Sequence, residues 1–311
     1  MKKPKISIIG AGNVGATTAH LIALKGLADI VLLDIEEGIA KGKALDMLQA
    51  GPIEKFGVGI KGTSSYEDTK NSDIVVITAG IIRKPGMSRD DLLSINTKIV
   101  REAAEKSAKN SPNAIMIAVT NPLDAMTYIS SKASKLPKHK VIGMGSSLDS
   151  ARFRAFIAEE LGISPAKVDA MVIGSHSNFM VPLPAHSKAN NIKLAELLVS
   201  EKINELVERT KKGGEEIVNL LKTGSAFYAP ASSIVLMAES IIKDKKLLLP
   251  CSSYCEKEYG VGGYFIGVPA ILGKNGVEKI IELSLTGKEK EAFKKSVEHV
   301  KKLAEEAKKY L

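Results

Sequence analysis

Short apolar runs alternate with helix-like patterns along the first half of the chain. Five of these runs have the continuous apolar character of strands buried on both faces of a sheet: KISIIGA, DIVLLD, DIVVITAG, AIMIAVT and KVIGMG. A sixth run, VGIKGT, is weaker. The segments between the runs have helical periodicity near residues 13–25, 38–50, 88–109 and 123–135. Six strands joined by helical crossovers predict an α/β fold built on a doubly wound parallel sheet.

The pattern changes after about residue 145. The second half has helical patterns at about residues 149–161, 193–222 and 229–243 and in a final stretch of about 25 residues. Its strand-like runs are VDAMVIGS, FMVPLP, LLLPCSSYC and GYFIGVPAILG. This mixture predicts an α+β domain over residues 146–311, packed against the doubly wound domain of residues 1–145.

Composition and charge exclude two classes of partner. Hydrophobic residues make up 44% and charged residues 25% of the 311-residue chain, which is ordinary for a globular protein. The formal net charge is +9, but the lysines alternate with acids, as in KGKEKEAFKKSVEHVKKLAEEAKKYL, which is typical of a solvated helix face. No apolar stretch reaches about 18 residues, the length needed to cross a membrane. We therefore expect neither a nucleic-acid partner nor a membrane partner.

Cysteine usage and the N-terminal segment predict a cytoplasmic protein without a metal site. The only cysteines are Cys251 and Cys255, and few cysteines suit a reducing compartment. Their C-x3-C spacing is unusual for a metal site and has no second Cys or His pair nearby, so we expect buried thiols. The opening MKKPKISIIGAGNVG resembles a secretory leader, but its glycines favour a strand that enters a turn.

Arginine is scarce in this chain. Six of the 44 basic residues are arginines, which leaves 38 lysines. A planar guanidinium can hold a carboxylate through two parallel hydrogen bonds, which a lysine cannot do. Arg83, Arg89 and Arg152 are therefore candidates for binding an anionic ligand.

A glycine motif near the N-terminus predicts the cofactor. SIIGAGNVGATTAHLIAL carries G-x-G-x-x-G as Gly10, Gly12 and Gly15, between a predicted strand and a predicted helix. In this context the glycines permit a tight turn, the approach of a pyrophosphate and helix–sheet packing. Asp34 follows Gly15 by 19 residues, and a carboxylate there accepts hydrogen bonds from a ribose and repels the 2′-phosphate of NADP. The alternative is a glycine-rich turn with an incidental acid; we predict a Rossmann domain that binds NAD.

Candidate chemical groups follow several predicted strands. His176 lies among small polar residues in MVIGSHSNFMVPLP, and its alternative interpretation is a turn or core histidine satisfied by backbone carbonyls. Asp149 and Arg152 are three residues apart in LDSARFRAF and so share a helix face, although Asp149 also suits a helix cap. TAGIIRKPGMSRDDLLSIN has the composition of a lid, or of a solvated basic loop. Asn121 ends a strand at the sheet edge where ligands of such folds gather.

Together these motifs resemble the lactate/malate dehydrogenase family, nearly from end to end of the chain. The specific matches, which resemble the malate-specific members, are RKPGMSRDDLL, NPLDAMTY, LDSARFR and LLKTGSAFYAPA. The resemblance implies that His176 donates and accepts the proton, with Asp149 as its partner. It implies that Arg152 binds the substrate carboxylate, Arg89 polarises the reacting carbonyl and Asn121 donates a hydrogen bond. The implied cofactor contacts are Gly10, Ala11, Gly12, Asn13, Val14, Gly15, Asp34, Asn96, Val119, Thr120 and Asn121.

Arg83 decides the expected substrate. The resemblance places it where lactate-specific members carry glutamine and malate-specific members carry arginine. A second substrate carboxylate buried without a cation would be strongly unfavourable, so an arginine here predicts a dicarboxylate substrate. We therefore expect reversible, NAD-dependent oxidation of (S)-malate to oxaloacetate. Ala226 offers a small side chain where the larger substrate needs room.

The chain departs from the family pattern beside His176. Many relatives read GGHGDTMVP where this chain reads GSHSNFMVP, which introduces Ser177, Asn178 and Phe179. GSSLD replaces AGVLD before Asp149, and Ile82 replaces a proline in the loop. Two alternatives follow: a lactate or other 2-hydroxy-acid dehydrogenase, and a catalytically weak NAD-binding protein. We also expect a homo-oligomer, a tetramer or a dimer, with the apolar helix ASSIVLMAESII as the candidate subunit contact.

Overall fold

The computed structural model describes residues 3–82 and 87–311. Its first half alternates strands and helices, as the apolar runs predict. The elements are β1 Lys5–Ile9, α1 Asn13–Leu24, β2 Asp29–Leu33, α2 Glu37–Glu54, β3 Ile60–Thr63, β4 Ile74–Ile77, α3 Arg89–Asn110, β5 Ile115–Ala118, α4 Leu123–Ser134 and β6 Val141–Gly143. The weak run VGIKGT does form a strand, β3.

These six strands form a parallel sheet in the order β3-β2-β1-β4-β5-β6. Successive residues of each strand point to opposite faces, and both faces are buried. Ile6 and Ile8 of β1 pack with α1 and α2 on one face, whereas Ile9 packs with α3 and α4 on the other. This two-sided burial explains why the runs are continuously apolar, and it confirms the doubly wound α/β fold.

The second half adds short strands, long helices and an antiparallel meander. Its elements are α5 Gly145–Leu161, β7 Val168–Asp169, β8 Val172–Ile173, β9 Val181–Pro182, β10 Lys188–Ala189, β11 Ile192–Lys193, α6 Leu194–Leu197, α7 Ser200–Leu221, α8 Tyr228–Ile242, β12 Leu247–Cys255, β13 Tyr264–Gly273, β14 Gly276–Ile280 and α9 Gly287–Lys308. Strands β12, β13 and β14 pair antiparallel. Strand β12 also joins β6 at Ser252 and Gly143, so one nine-stranded sheet runs through both halves.

Several boundaries differ from the sequence-based expectation. Helix α5 begins at Gly145 rather than near residue 149, and α2 runs on through Pro52 to Glu54. The helical pattern of 193–222 is two helices, because the backbone is extended at Leu198 and Val199. Strands β10, β11 and β14 carry no long apolar run and were not expected. The first two are only two residues long, and Gly276 is the one fully buried residue of β14.

Cys251 and Cys255 are buried free thiols, as expected, and burial raises the pKa of Cys251 to about 11. Within residues 3–82 and 87–311, no group of three His, Cys, Asp or Glu side chains is arranged to hold a metal ion. None of the helices in that part of the chain has the length and apolar character needed to cross a bilayer.

Candidate active site

The glycine loop between β1 and α1 leaves an open helix N-terminus. A Cβ atom built on Gly15 would lie 1.9 Å from the carbonyl oxygen of Gly10, so only glycine lets α1 pack against this turn. Gly12, the N-cap of α1, has open space around it, and its residue type offers no side chain to cap the helix. The first turn of α1 carries no acid. Its unpaired N–H groups and the helix dipole therefore suit a phosphate.

The carboxylate of Asp34 stands beside this loop at the end of β2. One oxygen, Oδ2, accepts a hydrogen bond from the backbone N–H of Ala11 at 2.7 Å, and the other accepts from Glu36 N–H at 3.1 Å. These contacts fix the acid next to the phosphate-binding turn. Asn13 is exposed and Val14 half-buried on the same turn. The predicted nucleotide contacts of the glycine loop therefore lie beside Asp34. A phosphate-binding helix N-terminus next to a ribose-binding carboxylate fits a dinucleotide.

Removing the charge of Asp34 should narrow the preference for NADH over NADPH. Repulsion between like charges at a binding site costs several kcal/mol, so we expect the ratio of the two dissociation constants to fall by about tenfold or more in Asp34→Ser. Asp34→Asn is the matched variant, because an amide oxygen still accepts from Ala11 N–H. Fluorescence titration with NADH and NADPH measures both constants. Equal affinities in the unmodified protein would contradict the role of Asp34.

The loops after β4 and β5 are tied together at the carboxyl edge of the sheet. Asn96 of α3 is 1% exposed; its Oδ1 accepts from Ile81 N–H at 2.8 Å, and its Nδ2 donates to the carbonyl of Asn121 at 2.8 Å. The hydroxyl of Thr120 donates to the carbonyl of Ala79 at 2.7 Å. The amide of Asn96 is therefore used to join the two loops. Val119 is half-buried and Asn121 is exposed. The cofactor contacts predicted for Asn96, Val119 and Asn121 remain predictions.

The structure brings His176, Asp149 and Arg152 together. The Nδ1 atom of His176 lies 2.7 Å from Asp149 Oδ2, and Nη1 of Arg152 lies 3.2 Å from Asp149 Oδ1. Asp149 is completely buried in the second turn of α5, so the helix-cap interpretation is wrong. His176 follows β8, and its ring nitrogen meets a carboxylate rather than a backbone carbonyl. The interpretation of His176 as a turn histidine held by carbonyls is therefore also wrong.

A glycine makes this arrangement possible. Gly145 begins α5, and a Cβ atom on it would lie 2.6 Å from the Cβ of His176. A side chain at this position would require α5 or His176 to shift, because the approach is closer than an ordinary contact. The short GSS sequence before Leu148 thus lets the first turn of the helix pass directly behind the histidine.

The electrostatics favour a protonated histidine. Burial by itself lowers the pKa of His176, but the charge of Asp149 and its hydrogen bond more than offset this, and the net shift is upward. A carboxylate at Nδ1 also selects the tautomer in which Nε2 is left to exchange a proton with a ligand. His176 lines a cavity of about 630 Å³ together with Asn121. The arrangement can therefore act as a general acid or base.

The guanidinium of Arg152 has hydrogen-bonding capacity left for a ligand. Its Nε atom is buried and, among the described residues, has no hydrogen-bond partner. Buried donors are nearly always satisfied, so an unsatisfied one on a side chain that contacts Asp149 needs an explanation. A carboxylate ligand would provide the missing acceptor, as predicted for Arg152.

The structure does not describe the side chains of two predicted substrate-binding residues. Arg83 lies outside the described residues, as does the side chain of Arg89, although α3 begins at Arg89. Helix α3 is capped reciprocally: Ser88 Oγ accepts from Asp91 N–H at 3.0 Å, and Asp91 accepts from Ser88 N–H at 3.1 Å. The roles of Arg83 and Arg89 stay predictions. Ile82 is 62% exposed.

The departures from the family pattern have local partners. The ring of Phe179 stacks on His299 of α9, with the centroids 4.6 Å apart. The hydroxyl of Ser177 lies 2.7 Å from that of Ser175 and accepts from the N–H of Phe179 at 3.1 Å. These contacts hold the segment after His176 against α9. Phe179 and His299 both line the cavity, so the substitutions alter its wall rather than the His176–Asp149 pair.

Sequence reasoning missed Asp124. This residue is 5% exposed in the first turn of α4, and its carboxylate accepts from His176 N–H at 2.9 Å and from the Ser252 hydroxyl at 2.7 Å. Burial raises the pKa of Asp124 to about 6, against the opposing effect of these hydrogen bonds. The only signal in the sequence is an acid three residues after Asn121, which by itself indicates a helix start.

Comparison with known proteins agrees with the fold. Residues 4–143 match the family model "lactate/malate dehydrogenase, NAD binding domain", and residues 146–311 match "lactate/malate dehydrogenase, alpha/beta C-terminal domain". The malate dehydrogenase of Heliobacterium modesticaldum is 55% identical over 303 residues, which cover 97% of this chain and 98% of that protein.

Two solved structures are also similar over nearly the whole chain. The apo malate dehydrogenase of Picrophilus torridus superposes with a TM-score of 0.97 at 49% identity and covers 99% of this chain and 98% of that one. A Cryptosporidium parvum lactate dehydrogenase, complexed with lactic acid and nicotinamide adenine dinucleotide, gives a TM-score of 0.96 at 41% identity, with 99% of each chain covered.

Three features define a dinucleotide-dependent oxidoreductase: the doubly wound sheet, the open helix N-terminus and the buried His–Asp pair. The chain belongs to the lactate/malate dehydrogenase family. The resemblance inferred from the sequence is thereby confirmed, and so is NAD as the cofactor of the first domain.

Proposed function

We propose that this protein is an NAD-dependent malate dehydrogenase that interconverts (S)-malate and oxaloacetate. The observation that carries the proposal is the cluster of His176, Asp149 and Arg152, in which a proton-exchanging group lies beside a cation with an unsatisfied donor. Arg83 supports a dicarboxylate, and the similarity to proteins named malate dehydrogenase supports the same choice.

Each residue has a distinct role in the proposed reaction. Arg152 binds the carboxylate next to the reacting carbon, Asn121 donates a hydrogen bond, and Arg89 polarises the carbonyl. Arg83 holds the second carboxylate. NAD, when bound, accepts the hydride from the substrate's C2 atom, and NADH returns it in the reverse direction.

His176 carries the proton in both directions. Neutral His176 takes the proton of the malate hydroxyl at Nε2 as C2 is oxidised, and protonated His176 gives it back when oxaloacetate is reduced. Asp149 stabilises the charged ring. Because Asp149 raises the pKa of His176, the protonated form persists to higher pH than in a free imidazole. Malate oxidation should therefore be favoured by rising pH, and oxaloacetate reduction should fall as pH rises through the pKa of His176.

We assign these tasks to two domains, residues 1–145 for NAD binding and residues 146–311 for substrate binding and catalysis. The glycine loop and Asp34 lie in the first range, and His176, Asp149 and Arg152 in the second. Asn121 and Asp124 reach the catalytic residues from the first range, so the site forms where the two ranges meet.

We further propose that the protein is a cytoplasmic homo-oligomer, a dimer or a tetramer. Helix α8 buries most of its apolar residues in its own core, but Leu236 is 38% exposed. Leu24 of α1 and Leu45 and Leu48 of α2 are also exposed apolar side chains, and α1 contacts both α2 and α8. Sedimentation equilibrium tests this proposal, and a monomer at micromolar concentration would contradict it. The reduced thiols of Cys251 and Cys255 suit the cytoplasm.

The proposed activity is tested by the appearance of NADH from NAD and (S)-malate. We expect absorbance at 340 nm to rise with (S)-malate and to change little with (R)-malate or (S)-lactate. Reaction with (S)-lactate instead would favour the lactate dehydrogenase alternative. NAD binding without turnover of any 2-hydroxy acid would favour a catalytically weak NAD-binding protein.

A further inference from the structure

A second buried carboxylate holds the catalytic histidine from behind. Asp149 contacts the ring of His176, whereas Asp124 contacts its backbone: Asp124 Oδ2 accepts from His176 N–H at 2.9 Å. Asp124 Oδ1 accepts from the hydroxyl of Ser252, in β12, at 2.7 Å. One side chain of α4 thus joins the first half of the chain to the loop that carries His176 and to the antiparallel strands.

Capping does not explain Asp124. An acid in the first turn of a helix is commonly explained by the helix dipole or by bonds to the helix's own N–H groups. Here both carboxylate oxygens are used elsewhere, on a loop 52 residues later and on a strand 128 residues later. The contacts therefore serve the site rather than α4.

The hydrogen bonds of Asp124 alone do not explain why this position carries a charged side chain. An asparagine would accept the same hydrogen bond from His176 N–H, and its amide would donate to the Ser252 oxygen. A buried carboxylate near the Asp149 carboxylate is electrostatically unfavourable, because burial and the second acid both disfavour ionisation. A positive partner is needed to offset this, and protonated His176 is such a partner.

We infer that Asp124 is a positioning residue for proton transfer, which fixes the backbone of His176 and whose negative charge favours the protonated ring. This inference rests on the proposed function and adds a second acid to the His176–Asp149 pair. The carboxylate is charged above about pH 6, so its charge is present where His176 exchanges its proton. Among the described residues, Asp149 contacts the ring of His176 and Arg152 contacts Asp149. The charged and titratable side chains that line the cavity beside His176 are Asp90, His299, Lys302 and Glu306.

Asp124→Asn should move the pH profiles of both directions the same way. Loss of one nearby charge should lower the pKa of His176 by about 0.5–1 unit. For oxaloacetate, kcat/KM falls at alkaline pH as His176 loses its proton, and this alkaline limb of the pH profile then shifts to lower pH. At pH values above the limb, kcat/KM for oxaloacetate drops by about 3- to 10-fold. For malate, the acid limb, where kcat/KM falls because His176 is protonated, also shifts to lower pH. At pH values below that limb, kcat/KM for malate therefore rises by about the same factor. A purely structural defect would reduce both rates and move neither limb.

Two further variants separate charge from structure. Ser252→Ala keeps the carboxylate but removes a hydrogen bond that lowers its pKa, so we expect lower thermal stability and a smaller downward shift of both limbs than in Asp124→Asn. Asp124→Ser removes the charge and retains an oxygen near His176 N–H, and it should shift both limbs as Asp124→Asn does. This second neutral variant keeps the test available if the asparagine variant does not fold.

A chemical probe measures the same pKa without substrate or cofactor. Diethyl pyrocarbonate acylates neutral imidazole, so the rate of His176 modification against pH, followed by mass spectrometry, gives its midpoint. We expect the midpoint to fall by about 0.5–1 unit in Asp124→Asn and to fall less in Ser252→Ala, which keeps the carboxylate. An unchanged midpoint and unchanged limbs in the asparagine variant would overturn the inference. Absence of malate and oxaloacetate turnover in the unmodified protein would instead overturn the proposed function, while the midpoint still reports on Asp124.

Discussion

Replacing His176 by asparagine should lower turnover by about 10²–10⁴-fold, the usual contribution of a positioned general acid or base. An amide of similar size still reaches Asp149 but cannot exchange a proton near neutral pH. The glycine loop and Asp34 are unaffected, since they lie at the ends of β1 and β2. NADH affinity should therefore change little, and stopped-flow or steady-state kinetics combined with NADH fluorescence separate the two effects.

His186→Asn is the matched control. This histidine also lies in the second half of the chain, and its Nε2 atom is 3.1 Å from the carbonyl oxygen of Ser284 rather than near a carboxylate. We expect its loss to leave kcat almost unchanged. Substantial activity in the His176 variant, or an equal loss in both variants, would show that the role of His176 is structural.

Replacing Arg83 by glutamine should change which substrate the protein prefers. Truncating one partner of a hydrogen-bonded charge pair shielded from water costs about 2–5 kcal/mol, so kcat/KM for oxaloacetate should fall by about 30-fold to several thousand-fold. Pyruvate has no second carboxylate, so its kcat/KM should hold or rise. His176, Asp149 and Arg152 remain in place, so the chemistry itself should survive.

Two other arginine variants test the specificity of this effect. Arg83→Lys should retain only part of the oxaloacetate activity, because an ammonium group cannot reproduce the two-pronged hydrogen bond. Arg101→Gln, on the solvent-facing ion pair with Glu105, should leave both substrates unaffected. A parallel fall for oxaloacetate and pyruvate in Arg83→Gln would assign Arg83 to loop closure in general and withdraw it as the determinant of specificity.

The parallel sheet was predictable because its strands are buried on both faces. Continuous apolar runs such as β4 and β5 are the direct consequence of this burial, and the intervening helices show their own periodicity. Strand β14 was not predictable, because it lies at the sheet edge with Glu278 and Lys279 exposed. Edge strands need only one hydrophobic face, and their pattern is correspondingly weak.

The site was predictable only in part. Asp149 and Arg152 share a helix face by their spacing, but their meeting with His176 depends on a contact 27 residues away that the family resemblance supplied. Asp124 was missed because both of its partners, His176 and Ser252, are remote in sequence. Contacts between separate elements leave no periodic signal, so the second carboxylate is visible only in the folded chain.

The most direct measurement compares kcat/KM for oxaloacetate and for pyruvate with NADH, under identical conditions, in the unmodified protein. The proposed site contains a cation for a second carboxylate, which pyruvate leaves unpaired. Oxaloacetate should therefore be preferred by a factor of about 10² or more. Equal values, or a preference for pyruvate, would contradict malate dehydrogenase as the function of this protein.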